Sequence, residues 1–362
     1  MKRLWKILIF SVVCSIPIQA IGWGFWAHQR INRMAVFTLP RGMFGFYKAY
    51  IEFITKHAVD PDKRRYAVDG EAPRHYIDID HYGELPFDNV PHRWNEAVEA
   101  FSEDTLQAYG ILPWHIPVMV YRLRDAMKAR NLPRILKLSA DLGHYVGDAH
   151  VPLHTTENYN GQLTGQKGIH GFWESRLPEL YGSSYDFFVG RAYYIDDVVE
   201  EGWDAVLESH RALDSVLHFE ADLNTDFSPD RKYGYESRNA VTVRAYSRPY
   251  SRAYHAMLDG MVERRMRLSV RRLGSYWYTA WKMAGEPDLK SLIGISPHIP
   301  PDLFEKKLQI IDREDATIGF LLRVPSPQPG PASPVEELPQ YSGYAILPDG
   351  WMLGLEEAVW IC

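Results

Sequence analysis

Cysteine is almost missing from this 362-residue sequence: Cys14 and Cys362 are the only two. A thiolate zinc site and a disulfide framework are therefore both excluded. Positive charge is not in excess either. Forty Lys and Arg stand against 46 Asp and Glu, a net charge of −6, which argues against a broad basic surface for duplex nucleic acid. It leaves open a small anionic substrate held by metal ions, because the ions themselves carry the local positive charge. Internal repeats are absent, and no second domain announces itself with a signature of its own.

Apolar runs of membrane-spanning length are also missing. Ile7 to Ile18 is too short to cross a bilayer. Lys2, Arg3 and Lys6 precede it, and the small residues Ala20 and Gly22 follow it, so residues 1–22 read as a secretory signal cleaved before Trp23. Cleavage after Ala20 is a second possibility. Lipidation at Cys14 is a third, against which stands Val12-Val13, where a small residue is the norm. The reading implies an exported chain, periplasmic or secreted, with no transmembrane segment after cleavage. Lacking an internal disulfide, the mature chain must draw its stability from its core and from bound metals.

What is abundant is aromatic and helical. The 22 Tyr and 11 Trp provide for large packed cores and amphipathic pocket walls. Apolar residues at helical spacing predict helices over 26–37, 43–57, 94–109, 114–129, 196–223 and 252–283. Pro133 suits the first turn of a further helix. Residues 60–84 are loop-rich. The basic run with Arg264, Arg265, Arg267, Arg271 and Arg272 reads as a solvated helix face paired with the acidic 196–223 helix, in preference to a nucleic-acid patch. Residues 324–339 form a Pro-rich linker, and 341–362 regain apolar residues without a clear period. The fold class is all-α: one mainly helical domain over 23–288, with an unassigned extension over 289–362.

The chemistry concentrates between residues 144 and 174. His144 and Asp148 are one helical turn apart, as are His170 and Glu174, and i,i+4 residues share a face. His154 lies between the pairs, just past Pro152. A lone H-x-x-x-D has little specificity: Lys137, Asp141, His144 and Asp148 on one side and Ile135, Leu138, Leu142 and Val146 on the other describe any surface amphipathic helix. Two such pairs, an intervening histidine, and the upstream His28 and His75 point instead to imidazole–carboxylate sites of the kind zinc uses in hydrolytic enzymes. The histidines outside these motifs read as surface or satisfied core residues, with His150 the candidate for supporting a ligand.

HYVGDAHVPLH and HGFWE, with WGFWAH near the start of the mature chain and HYID between, resemble the zinc-dependent phospholipase C and single-strand-specific nuclease superfamily. The resemblance covers Trp23 to Pro287. It implies a mainly helical domain with three zinc ions in a cleft. Asp60, His75, His144 and Asp148 would hold one ion, and Asp62 is the alternative to Asp60. Asp148 would bridge to a second ion, completed by His28 and by the α-amino group and carbonyl of Trp23. His154, His170 and Glu174 would hold the third. Asp60 would also orient the nucleophile, while Lys63 and Arg64 are near the place of a phosphate-stabilising base. Tyr76 and Asp78 would contact substrate as stacking platform and base-edge acceptor. The implied activity is hydrolysis of phosphate esters, first as a single-strand nuclease or 3′-nucleotidase. Phospholipase C action on head groups is the alternative, and a non-catalytic zinc-binding relative the third reading. The partners implied are single-stranded nucleic acid, nucleotides or phospholipid head groups, and no protein partner is inferred.

Overall fold

The computed structural model describes residues 24–238 and 241–296, together with the strands Gly319–Arg323, Ser342–Ile346 and Met352–Gly354. Trp23, the leader and the Pro-rich linker lie outside the described residues. The helices run α1 (Phe25–Ala35), α2 (Arg41–Ala49), α3 (Ile51–Lys56), α4 (Asp60–Arg64), α5 (Trp94–Phe101), α6 (Glu103–Tyr109), α7 (Leu112–Lys128) and α8 (Leu132–Asp148). After a loop come α9 (Ile169–Gly171), a π-turn over Phe172–Arg176, α10 (Leu177–Tyr181), α11 (Val198–Asp226), α12 (Pro229–Lys232), α13 (Arg248–Met257) and α14 (Met261–Met283). The architecture is mainly helical, as the periodicity predicts.

Three predicted helices are each divided in two. Tyr50 interrupts the 43–57 segment between α2 and α3. Ser102, at φ 69°, ends α5, and its hydroxyl accepts from Thr105 N to start α6. Asp259 (φ 44°) and Gly260 (φ 70°) separate α13 from α14. A periodic pattern survives such a break because the apolar face continues on both sides of it, so only the left-handed residues betray the junction. The sequence reading also had no strands. β1 (Tyr233–Arg238) pairs antiparallel with β2 (Val241–Tyr246), Tyr233 opposite Tyr246. The alternating, β-branched and aromatic VTVRAY was the available sign of it. Farther on, β3 (Gly319–Arg323), β4 (Ser342–Ile346) and β5 (Met352–Gly354) form an antiparallel sheet in the order β3-β4-β5.

The centre of the helical body is α8, packed against α1, α7 and α14. Asn131 caps it by accepting from Arg134 N at 3.2 Å, and Pro133 sits in its first turn where no N–H is needed. Behind it Trp277 is fully buried, stacked on Tyr47 at 4.7 Å between centroids, with its indole N–H donating to Ser139 O. Burying such a ring stabilises the fold by about 4–6 kcal/mol from its area alone. α1 approaches α8 closely because residue 143 is glycine: a Cβ there would lie 1.9 Å from Asn32 Oδ1. Asn32 instead donates to Ala140 O at 3.0 Å and to Ile54 O at 3.2 Å. That approach brings His28 of α1 against His144 of α8. Among the described residues no helix is long and apolar enough to cross a membrane.

Of the Arg-rich run of α14, Arg265 and Arg272 face α11, and these two are buried instead of solvated, while Arg264, Arg267 and Arg271 contact Asp259, Asp186 and Tyr193. Arg272 donates to Glu201 Oε1 at 2.7 Å and to both oxygens of Glu208, at 2.8 and 3.0 Å. Arg265 donates to His150 O and Ala205 O. His150 is absorbed in this network, its Nδ1 donating to Val146 O at 2.7 Å and its Nε2 facing Arg272 at 3.2 Å. It does not support a metal ligand.

Candidate metal centre

The polar side of α8 is not a surface. Asp141, His144 and Asp148 are all buried, and they face residues delivered by the 57–78 segment and by α1. Three groups of imidazole and carboxylate side chains converge there. His28, His144 and Asp148 form the first, Asp62, His75 and His144 the second, and His154, His170 and Glu174 the third, with each group's ligand atoms within 4.8 Å of one another.

His144 and Asp148 join the first two groups. Asp148 Oδ1 lies 3.4 Å from His28 Nε2, and its Oδ2 lies 3.0 Å from His75 Nδ1 and 3.3 Å from His144 Nε2. The His28 and His144 rings stack at 3.8 Å. His144 Nδ1 donates to Ala58 O at 2.9 Å, which orients the ring and turns Nε2 into the cluster.

His75 ends a short 3₁₀ turn (Ala72–His75), pinned against the start of α7. Ile111 N donates to Pro73 O at 2.7 Å and Leu112 N to Tyr76 O at 3.1 Å. Gly110, at φ +92°, permits this, since a Cβ there would meet Tyr76 O at 2.2 Å. The His75 Nδ1 faces His144 Nε2 at 3.0 Å and Asp62 Oδ1 at 3.8 Å.

In the third group, a 3₁₀ turn (Pro152–His154) re-aims the chain after α8. His154 Nδ1 donates to the His75 carbonyl, and Ile77 N donates back to His154 O at 2.9 Å. His170 in α9 and Glu174 in the π-turn meet at 2.9 Å, and Glu174 Oε2 lies 3.4 Å from His154 Nε2. A π-turn widens the helix locally and is often found at functional positions.

Asp60, the carboxylate favoured from sequence, lies outside these three groups. Its Oδ2 meets His57 Nδ1 at 2.5 Å and its Oδ1 meets Lys63 at 3.1 Å, at the outer edge of the cluster. Burial would raise its pKa, but His57 outweighs that and lowers it. It is Asp62, two residues on, whose carboxylate faces His144 and His75. The short α4 starting at Asp60 separates the two side chains by about 200° around its axis, so only one of them can point inward. The basic residue shifts with it. Lys63 is exposed, and Arg64 is committed to Asp141, Glu71 and Tyr145. Arg65, which the sequence reading passed over, has a buried Nε without a partner and a guanidinium 5.9 Å from the Tyr76 ring. Its charge is felt at His170. Counting from Asp62 instead of Asp60 would have found it.

Fully buried donors and acceptors normally have partners. Here both ring nitrogens of His28, both oxygens of Asp62 and of Glu174, Asp148 Oδ1, His75 Nε2, His154 Nε2 and His170 Nε2 are buried and form no hydrogen bond. That concentration of unpaired lone pairs, all nitrogen or oxygen, fits divalent metal ions with borderline to hard ligand preference. The proton affinities tell the same story. Burial lowers His28 and His170 to about 4, keeping both neutral and able to ligate. Burial raises Glu174 to about 8. For His144 burial opposes charge, but Asp148 and Asp62 outweigh it and push it up to about 10. Burial likewise opposes the ionised forms of Asp148 and Asp62, yet His144 holds both below the usual carboxylate range. A cation held at the centre would replace those protons.

At the mouth, Tyr76 is half-buried and donates to Ala108 O at 3.3 Å. Tyr159 is about half exposed, with its ring 5.9 Å from His170, and Tyr66 is exposed. Asp78 lies beside Tyr76; burial, then Asp80 and Glu157, raise its pKa to about 7. Asp80 holds the loop, accepting from Thr156 Oγ1 at 2.5 Å and Glu157 N at 3.0 Å.

No family model matches this sequence, and no curated protein does. Among solved structures, the crystal structure of Clostridium perfringens alpha-toxin isolated from an avian strain is similar, at a TM-score of 0.43 and 12% identity. The match covers 75% of this chain and 66% of that one.

Proposed function

We propose that this chain is a zinc-dependent hydrolase of phosphoric esters. The observation that carries the reading is the set of buried, unpartnered imidazole and carboxylate atoms in three adjoining groups. Asp62, His75, His144 and Asp148 would hold one ion, and His28 with Asp148 a second, to which the Trp23 amine and carbonyl are the proposed additional ligands. His154, His170 and Glu174 would hold the third. When bound, zinc supplies Lewis acidity toward a phosphoryl oxygen and lowers the pKa of water. The chain's own contribution is orientation and charge. Arg65 carries a buried, unpaired Nε–H near Tyr76 and His170, suited to a phosphate oxygen. His144 and His154 are oriented by main-chain carbonyls, and the surrounding core excludes bulk water.

For the substrate we favour an ester carrying a cationic head group, as in a phospholipid, over single-stranded nucleic acid. Tyr76, Tyr159, Asp78 and Glu157 form an aromatic and acidic wall near His170. Such a wall attracts an ammonium group and repels a polyanionic strand. The test is direct. The mature protein, loaded with zinc, is incubated with phosphatidylcholine, single-stranded DNA and a 3′-nucleotide, with and without chelator. Chelator-sensitive release of the phosphorylated head group is expected. Turnover of DNA or nucleotide alone overturns the substrate assignment. Zinc binding without any cleavage overturns the enzyme. Export is proposed from the leader, and intact-mass analysis of secreted protein should show Trp23 as the first residue.

A further inference from the structure

Glu71 belongs to none of the three groups, yet it is completely buried beside them. Three donors and one facing imidazole surround it. Arg74 donates to its Oε2 at 2.8 Å, Tyr145 donates to its Oε1, and Arg64 reaches Oε1 at 3.1 Å. The fourth is His75, whose Nε2 faces Oε1 at 3.7 Å and has no other polar partner. Arg64 is itself held by Asp141 and Tyr145, so the carboxylate has little freedom to turn.

We propose that Glu71 is a positioning residue for two metal groups, acting through His75; the proposal rests on the metal reading above. A buried carboxylate next to Nε2 favours the tautomer with the proton on Nε2. The lone pair then sits on Nδ1, the nitrogen turned toward Asp148 and His144. The same residue orients the third group from its other end, because the His75 carbonyl accepts from His154 Nδ1. That leaves the His154 lone pair on Nε2, toward Glu174. Displacing His75 therefore disturbs two ion sites that share no ligand, and the geometry couples them through one residue's ring and carbonyl.

The experiment is a competition titration of metal-free protein with zinc and a chromophoric chelator, for wild type, Glu71→Gln and Tyr145→Phe. Ring-nitrogen NMR is recorded alongside, with His75 assigned by loss of its signal in His75→Gln. Glu71→Gln should weaken zinc binding by roughly 10–100-fold in more than one step of the titration, with the His75 ring shifting to a mixture of tautomers. Tyr145→Phe, which leaves the carboxylate in place but frees it, should give a smaller loss in the same direction. A lower melting temperature with unchanged zinc affinity and an unchanged His75 tautomer makes Glu71 merely structural and overturns the proposal. So does weakening confined to a single ion. If Glu71→Gln does not fold, Tyr145→Phe decides by the same two readouts. Wild-type protein that binds no zinc sinks the metal reading itself, an outcome distinct from wild-type binding that the variants leave unchanged.

Discussion

Asp148 turns one oxygen toward His28, at 3.4 Å, while its other oxygen lies 3.0 Å from His75. One carboxylate thus serves residues from α1 and from the 72–75 turn, 47 positions apart in sequence. Asp148→Ala should remove zinc from two groups at once. Elemental analysis of purified protein should find at most the ion of the His154 group. Without metal the change also leaves His144 without its main counter-charge, costing about 3–5 kcal/mol, read as a fall in the melting temperature of chelated protein. Full zinc content in this variant would refute the bridging role.

Asp60 and Asp62 can be told apart. Asp62→Ala should lower zinc content and abolish hydrolysis. Asp60→Ala removes contacts with His57 and the partly exposed Lys63 and should cost about 1 kcal/mol or less, with zinc content retained. Equal loss of zinc in both variants would contradict the inward placement of Asp62 alone.

Metal-free protein should be less stable in mild alkali than at neutrality. Glu174 is raised to about 8 from an ordinary 4.5, and His144 to about 10 from 6.5. Both groups bind more protons folded than unfolded over the interval between those values. The His144 contribution is full below pH 6.5 and is lost as pH rises toward 10; the Glu174 destabilisation grows from 4.5 and is complete above 8. His28 and His170, lowered to about 4, act the other way between pH 4 and 6.5, where the unfolded chain binds the extra protons. Denaturant titrations from pH 5 to 10 in chelator should therefore fall above 6.5 by a few kcal/mol. With zinc bound the alkaline decline should shrink, because the ion has replaced the protons. A flat profile in chelator would count against these proton positions.

Stability and metal binding should separate at the α11–α14 interface. Arg272→Met takes the main cation from Glu201 and Glu208, which keep only Tyr193 and Arg265 respectively. Because Glu208 is 38% exposed, water screens part of the loss, and about 2–3 kcal/mol is expected. Zinc affinity should not change. A parallel loss of zinc would mean that this network reaches the centre.

At the mouth, Asp78→Asn should raise KM for a choline ester several-fold and leave kcat within a factor of about two, the size of a partly exposed cation contact. An unchanged KM, with DNA cleavage impaired instead, would move Asp78 to nucleic acid.

Much of this was readable from the chain. The i,i+4 pairs His144/Asp148 and His170/Glu174 were visible because helical spacing is a local property, and the helices around them follow from apolar periodicity. Asp60 was preferred over Asp62 because interval lengths say nothing about which side of a five-residue helix faces inward. Arg65 was missed through the same two-residue offset. Glu71 had no motif to mark it; its role exists only once Arg64, Arg74, Tyr145 and His75 are folded around one point. The buried polar side of α8 looked like a water-facing stripe because a helical wheel cannot distinguish solvent from a second layer of polar side chains.

Gly24 donates its amide hydrogen to the Glu174 carbonyl at 3.3 Å, joining the beginning of α1 to the π-turn. The side chains of the centre are gathered across that whole interval, from His28 to Glu174. A chain emerging from synthesis therefore carries no finished portion of the third group until residue 174 has followed. A truncation before Glu174 should therefore leave the third group without its carboxylate and α8 without the later α14 that packs against it.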